Sequence, residues 1–72
     1  MNAHQRRKTL RANGRALHQK YPIGSPVMAR DGYHGDWCLG KVESHPRHGL
    51  RVHFGTWPHP VFIKSRHQVY AA

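Results

Sequence analysis

Apolar and polar positions divide the chain into two regimes. From Tyr21 onward, short apolar runs alternate with turn residues. Val27-Met28-Ala29-Arg30 reads as a first strand, followed by a loop from Asp31 to Asp36 whose two glycines are free to take positive φ. Trp37 to Ser44 is a longer strand, with Cys38, Gly40 and Val42 on one face and Trp37, Leu39 and Lys41 on the other. His45 to Gly49 is a turn. Leu50-Arg51-Val52-His53-Phe54 alternates strictly, which puts Leu50, Val52 and Phe54 inward and Arg51 and His53 outward. Gly55 to Pro60 is another turn, Val61 to Lys64 a fourth strand, Ser65 to Gln68 a single 3₁₀ turn, and Val69-Tyr70 a short last strand. Short strands at this spacing predict an all-β architecture. With about five of them, a small barrel is favoured because closure protects the edges.

Residues 1–20 carry no such alternation. Leu10 and Leu17 lie two helical turns apart, but Gly14 between them costs a helix about 1 kcal/mol relative to Ala. The expectation is a disordered or transiently helical arm that orders on a partner; the alternative is a docked helix anchored by Leu10 and Leu17. The chain thus divides into a flexible arm, residues 1–20, and a barrel, residues 21–72.

Charge sharpens this division. Twelve Lys and Arg face three acids, for a formal net charge of +9, and half of those cations sit in the acid-free first 20 residues. Such a balance is the footprint of a partner for nucleic acid or for an acidic protein surface. Near pH 6, protonation of the eight histidines adds to it. A lone cysteine, Cys38, excludes an internal disulfide framework and fits a reducing cytoplasm. No apolar run approaches the roughly 20 residues that span a bilayer, so no membrane partner is expected.

Catalytic chemistry finds little to work with. Asp31, Asp36 and Glu43 are the only acids and make no carboxylate pair, and no phosphate-cradling glycine motif occurs. Cys38 falls on an inward strand face, where a thiol acts as a small hydrophobe. His45 and His48 have an x₂ spacing, and His53 and His59 follow, but the histidines are otherwise scattered and lack the cysteine or carboxylate partners usual in zinc sites. A non-enzymatic, monomeric binding module without metal or cofactor is expected.

Gly24-Ser25-Pro26-Val27-Met28-Ala29, Trp37-Cys38-Leu39-Gly40-Lys41-Val42 and Leu50-Arg51-Val52-His53-Phe54-Gly55 together resemble the Tudor type of SH3-like barrel over about residues 23–70. The resemblance implies a five-stranded barrel completed by Val61, Ile63 and Val69. Tudor domains often hold methylated Lys or Arg in an aromatic cage, for which Tyr33, Trp37 and Trp57 are the available walls. After Phe54, however, the aspartate-aromatic-glycine run usual in that family is replaced by Gly55-Thr56-Trp57, and a basic protein is a poor host for cations. A basic arm ahead of one such barrel is also similar to small phage-encoded inhibitors of bacterial RNA polymerase. That resemblance implies a transcription regulator that binds the polymerase, inhibits initiation and acts in antitermination. Direct DNA or RNA binding and a ribosome-associated role remain alternatives. In each case the expected contacts are Arg6, Arg7, Lys8, Arg11 and Arg15 on the arm, and Tyr33, Trp37, Arg51, His53 and Trp57 on the barrel.

Overall fold

A computed structural model describes residues 2–72. Its first element corrects the expectation for the arm. Residues Ala3–Lys20 form an α-helix, α1, rather than a disordered or transiently helical tail. Two local causes are visible. Asn2 and Gln5 make a capping box: the Gln5 N–H donates to Asn2 Oδ1 at 2.9 Å, and the Asn2 N–H to Gln5 Oε1 at 3.4 Å. At the other end the Tyr21 N–H closes the last turn on the Leu17 carbonyl, and His18 and Lys20 place basic side chains where the helix dipole favours them.

Tertiary contact supplies the rest. Leu17 is only 4% exposed, Tyr21 is buried just beyond the helix, and Leu10 is half-buried. Gly14, a helix-weakening residue by propensity, sits against the turn at 45–49. A Cβ there would lie 2.6 Å from the Arg47 carbonyl oxygen and 2.8 Å from the His48 Cα, so the absence of a side chain is what lets helix and turn approach.

The remaining elements follow the alternation closely. Strands β1 (Pro26–Ala29), β2 (Cys38–Ser44), β3 (Leu50–Phe54), β4 (Val61–Ile63) and β5 (Val69–Ala71) form one antiparallel sheet in the order β4-β3-β2-β1-β5, with a 3₁₀ turn at Arg66–Gln68 leading into β5. Because β4 and β5 are the two edges and do not pair, the sheet is a curled half-barrel, a shape compatible with a small SH3-like barrel. The chain is a small mixed α/β protein, not an all-β one, because its helix shares the sheet's core.

That core is made of Val27, Ala29, Val42, Leu50, Val52, Phe54, Val61, Ile63 and Val69 from the strands, with Leu17 and Tyr21 from the helix end. Gly40 points inward opposite Phe54, where a Cβ would meet the Phe54 and Val52 side chains at 2.7 Å. One buried polar residue, Gln68, is 2% exposed. Its Nε2 donates to the Arg30 carbonyl and its Oε1 accepts from the Lys64 N–H, tying the ends of β1 and β4 to the 3₁₀ turn.

Two substitutions test the docked helix by thermal or urea unfolding. Leu17→Ala should cost about 2–5 kcal/mol, the range for emptying a buried leucine site. Gly14→Ala would stabilise a solvent-exposed helix, yet here the added methyl should destabilise the protein by about 1–2 kcal/mol through overpacking. A rise in stability for Gly14→Ala would show that helix and turn are not in contact.

Candidate functional site

The seam between α1 and the sheet is fastened by histidines. His18 Nε2 lies 2.7 Å from the Pro46 carbonyl and 2.8 Å from that of Gly49. Carbonyl oxygens only accept, so Nε2 carries the proton and shares it between the two. His45 Nε2 likewise donates to the Tyr21 carbonyl at 2.8 Å, and the two imidazoles stack with centroids 4.4 Å apart and planes 11° from parallel. These contacts use the C-terminal half of the helix. The N-terminal half is bordered by solvent, and every one of Arg6, Arg7, Lys8, Arg11 and Arg15 is exposed.

Helical periodicity sorts those cations. His4, Lys8, Arg11 and Arg15 recur at i, i+4, i+7 and i+11 and make one row along the helix, with Arg7 one turn from Arg11 at its margin. Arg6 lies on another side, in line with Leu10 and Leu17. The face carrying Gln5, Thr9, Ala12 and Ala16 has no charge over those four positions; Lys20 continues it at the C-terminal end, and Lys8 borders Gln5, Thr9 and Ala12. Arg47, whose carbonyl abuts Gly14, is a further exposed cation in the turn that packs on this helix.

A second surface lies on the outer face of the sheet. The registers Met28↔Leu39 and Met28↔Tyr70 put three apolar side chains in one line across β2, β1 and β5. Leu39 is 63% and Tyr70 46% exposed. Trp37, 38% exposed, meets the Tyr70 ring edge-on at 4.7 Å, and the Arg30 guanidinium lies over the indole at 4.5 Å. Arg30 is itself held by Nε and Nη2 hydrogen bonds to the His67 carbonyl at 3.2 and 2.9 Å. The cluster is thus ordered before any partner arrives, which reduces the rotamer entropy lost on binding.

The sequence-expected residues do not form a single site. Arg51 and His53 are on the outer face of β3, opposite Phe62 and Lys41 respectively. Trp57 packs edge-on against Phe54 at 5.0 Å, in the β3–β4 turn. Tyr33 is exposed in the β1–β2 loop and borders a shallow cleft with Phe62, Lys64 and Gln68. The three candidate cage walls therefore have different neighbours, and Trp37 already carries a cation from its own chain. Sequence reasoning missed Arg30, Met28, Leu39 and Tyr70 as a surface. Alternation marked Leu39 as outward, but nothing in the order of residues puts β5 beside β1.

Among the described residues, no three His, Cys, Asp or Glu side chains gather where they could hold a metal ion. No helix among them is long and apolar enough to cross a membrane. Comparisons of the chain with protein-family models, with curated proteins and with solved structures find no match. Fold and surfaces together define its class: a small basic half-barrel with a docked cationic helix and an aromatic outer face.

The Arg30–Trp37 contact has a spectroscopic signature. In a Trp57→Phe background, Arg30→Ala should raise the acrylamide quenching of Trp37 while lowering stability by about 1 kcal/mol or less, the scale of an exposed cation–π pair. Unchanged quenching would mean that Arg30 does not cover the indole in solution.

Proposed function

We propose that the chain is a non-enzymatic transcription regulator of Tudor-like architecture that binds bacterial RNA polymerase in the cytoplasm as a monomer, inhibits initiation and acts in antitermination. The observation that carries this reading is the outer-face cluster of Arg30, Trp37 and Tyr70, flanked by Leu39 and Met28. Trp, Tyr and Arg are the residue types that dominate binding energy at protein interfaces, and they do so from well-packed, central positions. Here the aromatic pair and its arginine are packed against one another while still exposing apolar area. The resemblance of a basic segment ahead of a small SH3-like barrel to phage-encoded polymerase inhibitors supplies the identity of the partner.

Charge fits the same partner. A chain with net charge +9 is drawn to an acidic protein surface, and complementary fields raise the rate of encounter more than the final affinity. The apolar row then holds what the field has steered in. Arg51 and His53 extend the same outer face across β3 and place polar and cationic groups at the rim of the patch.

The test is a pull-down of purified bacterial RNA polymerase on the immobilised chain, joined to a promoter run-off assay. The native chain should retain the polymerase and reduce run-off product. Trp37→Ala combined with Tyr70→Ala should weaken binding 10-fold or more, about 1.4 kcal/mol, with helix content unchanged by circular dichroism. Failure of the native chain to retain the enzyme at micromolar concentration would remove the reading.

A further inference from the structure

In the outer-face reading the basic row of α1 contributes only to the steering field and makes no contact, and its geometry points to a second use. From His4 to Arg15 it runs for about 16 Å, at the 1.5 Å rise of an α-helix. It projects from a helix whose docked end is anchored by Gly14, Leu17 and His18. We propose that this row, His4, Arg7, Lys8, Arg11 and Arg15, together with Arg47, binds the phosphodiester backbone of nucleic acid.

Three features carry the proposal. First, the row is not balanced by the helix itself. No Asp or Glu occurs in α1, and Arg7–Arg11 and Arg11–Arg15 are i, i+4 pairs of like sign. Such pairs weaken a helix by a few tenths of a kcal/mol each, and a polyanion laid along them converts repulsion into attraction. Second, the charge is sided. Between residues 5 and 16 the face carrying Gln5, Thr9, Ala12 and Ala16 is neutral, with Lys20 one turn beyond it, so along the length of the row the field has a direction, unlike that of a generally solubilising surface. Third, the row is rigid. The capping box and the histidine seam hold the helix, so the arginine forks are presented on a fixed backbone at helical spacing.

Chemistry of this kind reads phosphates and not bases. The row contains no Asn or Gln, so backbone positioning is expected without sequence preference. Four or five phosphate contacts give a slope of log K against log salt of about −3.6 to −4.5 on a duplex and about −2.8 to −3.5 on a single strand. This interface differs from the aromatic one. Tyr70 borders a cleft on the Asn13, Ala16 and Lys20 side of α1, opposite the row, and Trp37 lies with it on the outer face of the sheet.

The experiment is fluorescence anisotropy of the full chain with labelled duplex DNA, duplex RNA and single-stranded DNA at about 50 and 200 mM salt, where the duplex slopes correspond to a loss of affinity of roughly 10²-fold. The arm that binds most tightly, with its slope, identifies the source of the phosphates. Two variants of equal net charge separate a site from bulk attraction. Lys8→Gln, Arg11→Gln and Arg15→Gln should lower affinity at least 30-fold at the lower salt. Gln5→Glu, Ala12→Glu and Ala16→Glu, on the neutral face and with the capping box kept, should lower it less than 5-fold. Gln and Glu are good helix formers, and circular dichroism confirms that both variants keep the helix. The Trp37→Ala, Tyr70→Ala chain should bind nucleic acid as the native chain does, so loss of polymerase binding and loss of nucleic-acid binding are read separately. Equal losses in the two charge variants, no binding at the lower salt, or poly-glutamate competing as well as nucleic acid of the same charge would each overturn the proposal.

Discussion

The close approach of helix α1 to the β2–β3 turn is the contact on which the rest of the molecule depends. A half-barrel of five short strands leaves its core open at one end, and 72 residues bury little apolar area with which to compensate. Leu17 and Tyr21 close that end, and they reach it only because Gly14 admits the Arg47 and His48 backbone and His18 satisfies two turn carbonyls at once. A side chain at position 14 would lift the helix off the turn and uncover the core at the same point. One steric allowance thereby joins the helix to the sheet and completes the hydrophobic interior.

The same contact orients the two candidate surfaces. Docking consumes the side of the helix around Leu10, Gly14 and Leu17, and the row from His4 to Arg15 is left facing solvent as a consequence. On the sheet, Val27, Ala29 and Val69 commit β1 and β5 to the core, which turns Met28 and Tyr70 outward beside Leu39. Arg30 at the end of β1 is then within reach of both the Trp37 indole and the His67 carbonyl. A cationic row and an aromatic face therefore lie on different elements, and the proposed nucleic-acid and polymerase contacts rest on one each.

Much of the strand region was legible in the order of residues. The alternation of Leu50 to Phe54 reproduces the observed β3 and its buried face, and Val61 and Ile63 flank an outward Phe62 as period 2 requires. The turn residues also delimited β1, β2, β4 and the 3₁₀ turn to within a residue or so. Helix α1 is stronger than its propensity predicts, for two reasons. Asn2 and Gln5 form a capping box that is visible in the sequence at its required spacing. Gly14 is unfavourable by helix propensity, while its role is to allow contact with residues more than 30 positions away.

By itself the sequence determined the charge, the strand periods and the cations available for binding, because these depend on residue type and on spacing within one element. Tertiary structure decided which of those residues act together. It placed β5 beside β1, brought Tyr70 and Arg30 to Trp37, set Trp57 against Phe54 and Tyr33 in a cleft with Phe62, and made the Leu17 end of the arm part of the core. The physical reason is that sheet order and helix docking are set by burial and backbone satisfaction across distant segments, and no local pattern encodes which distant segment will be the neighbour.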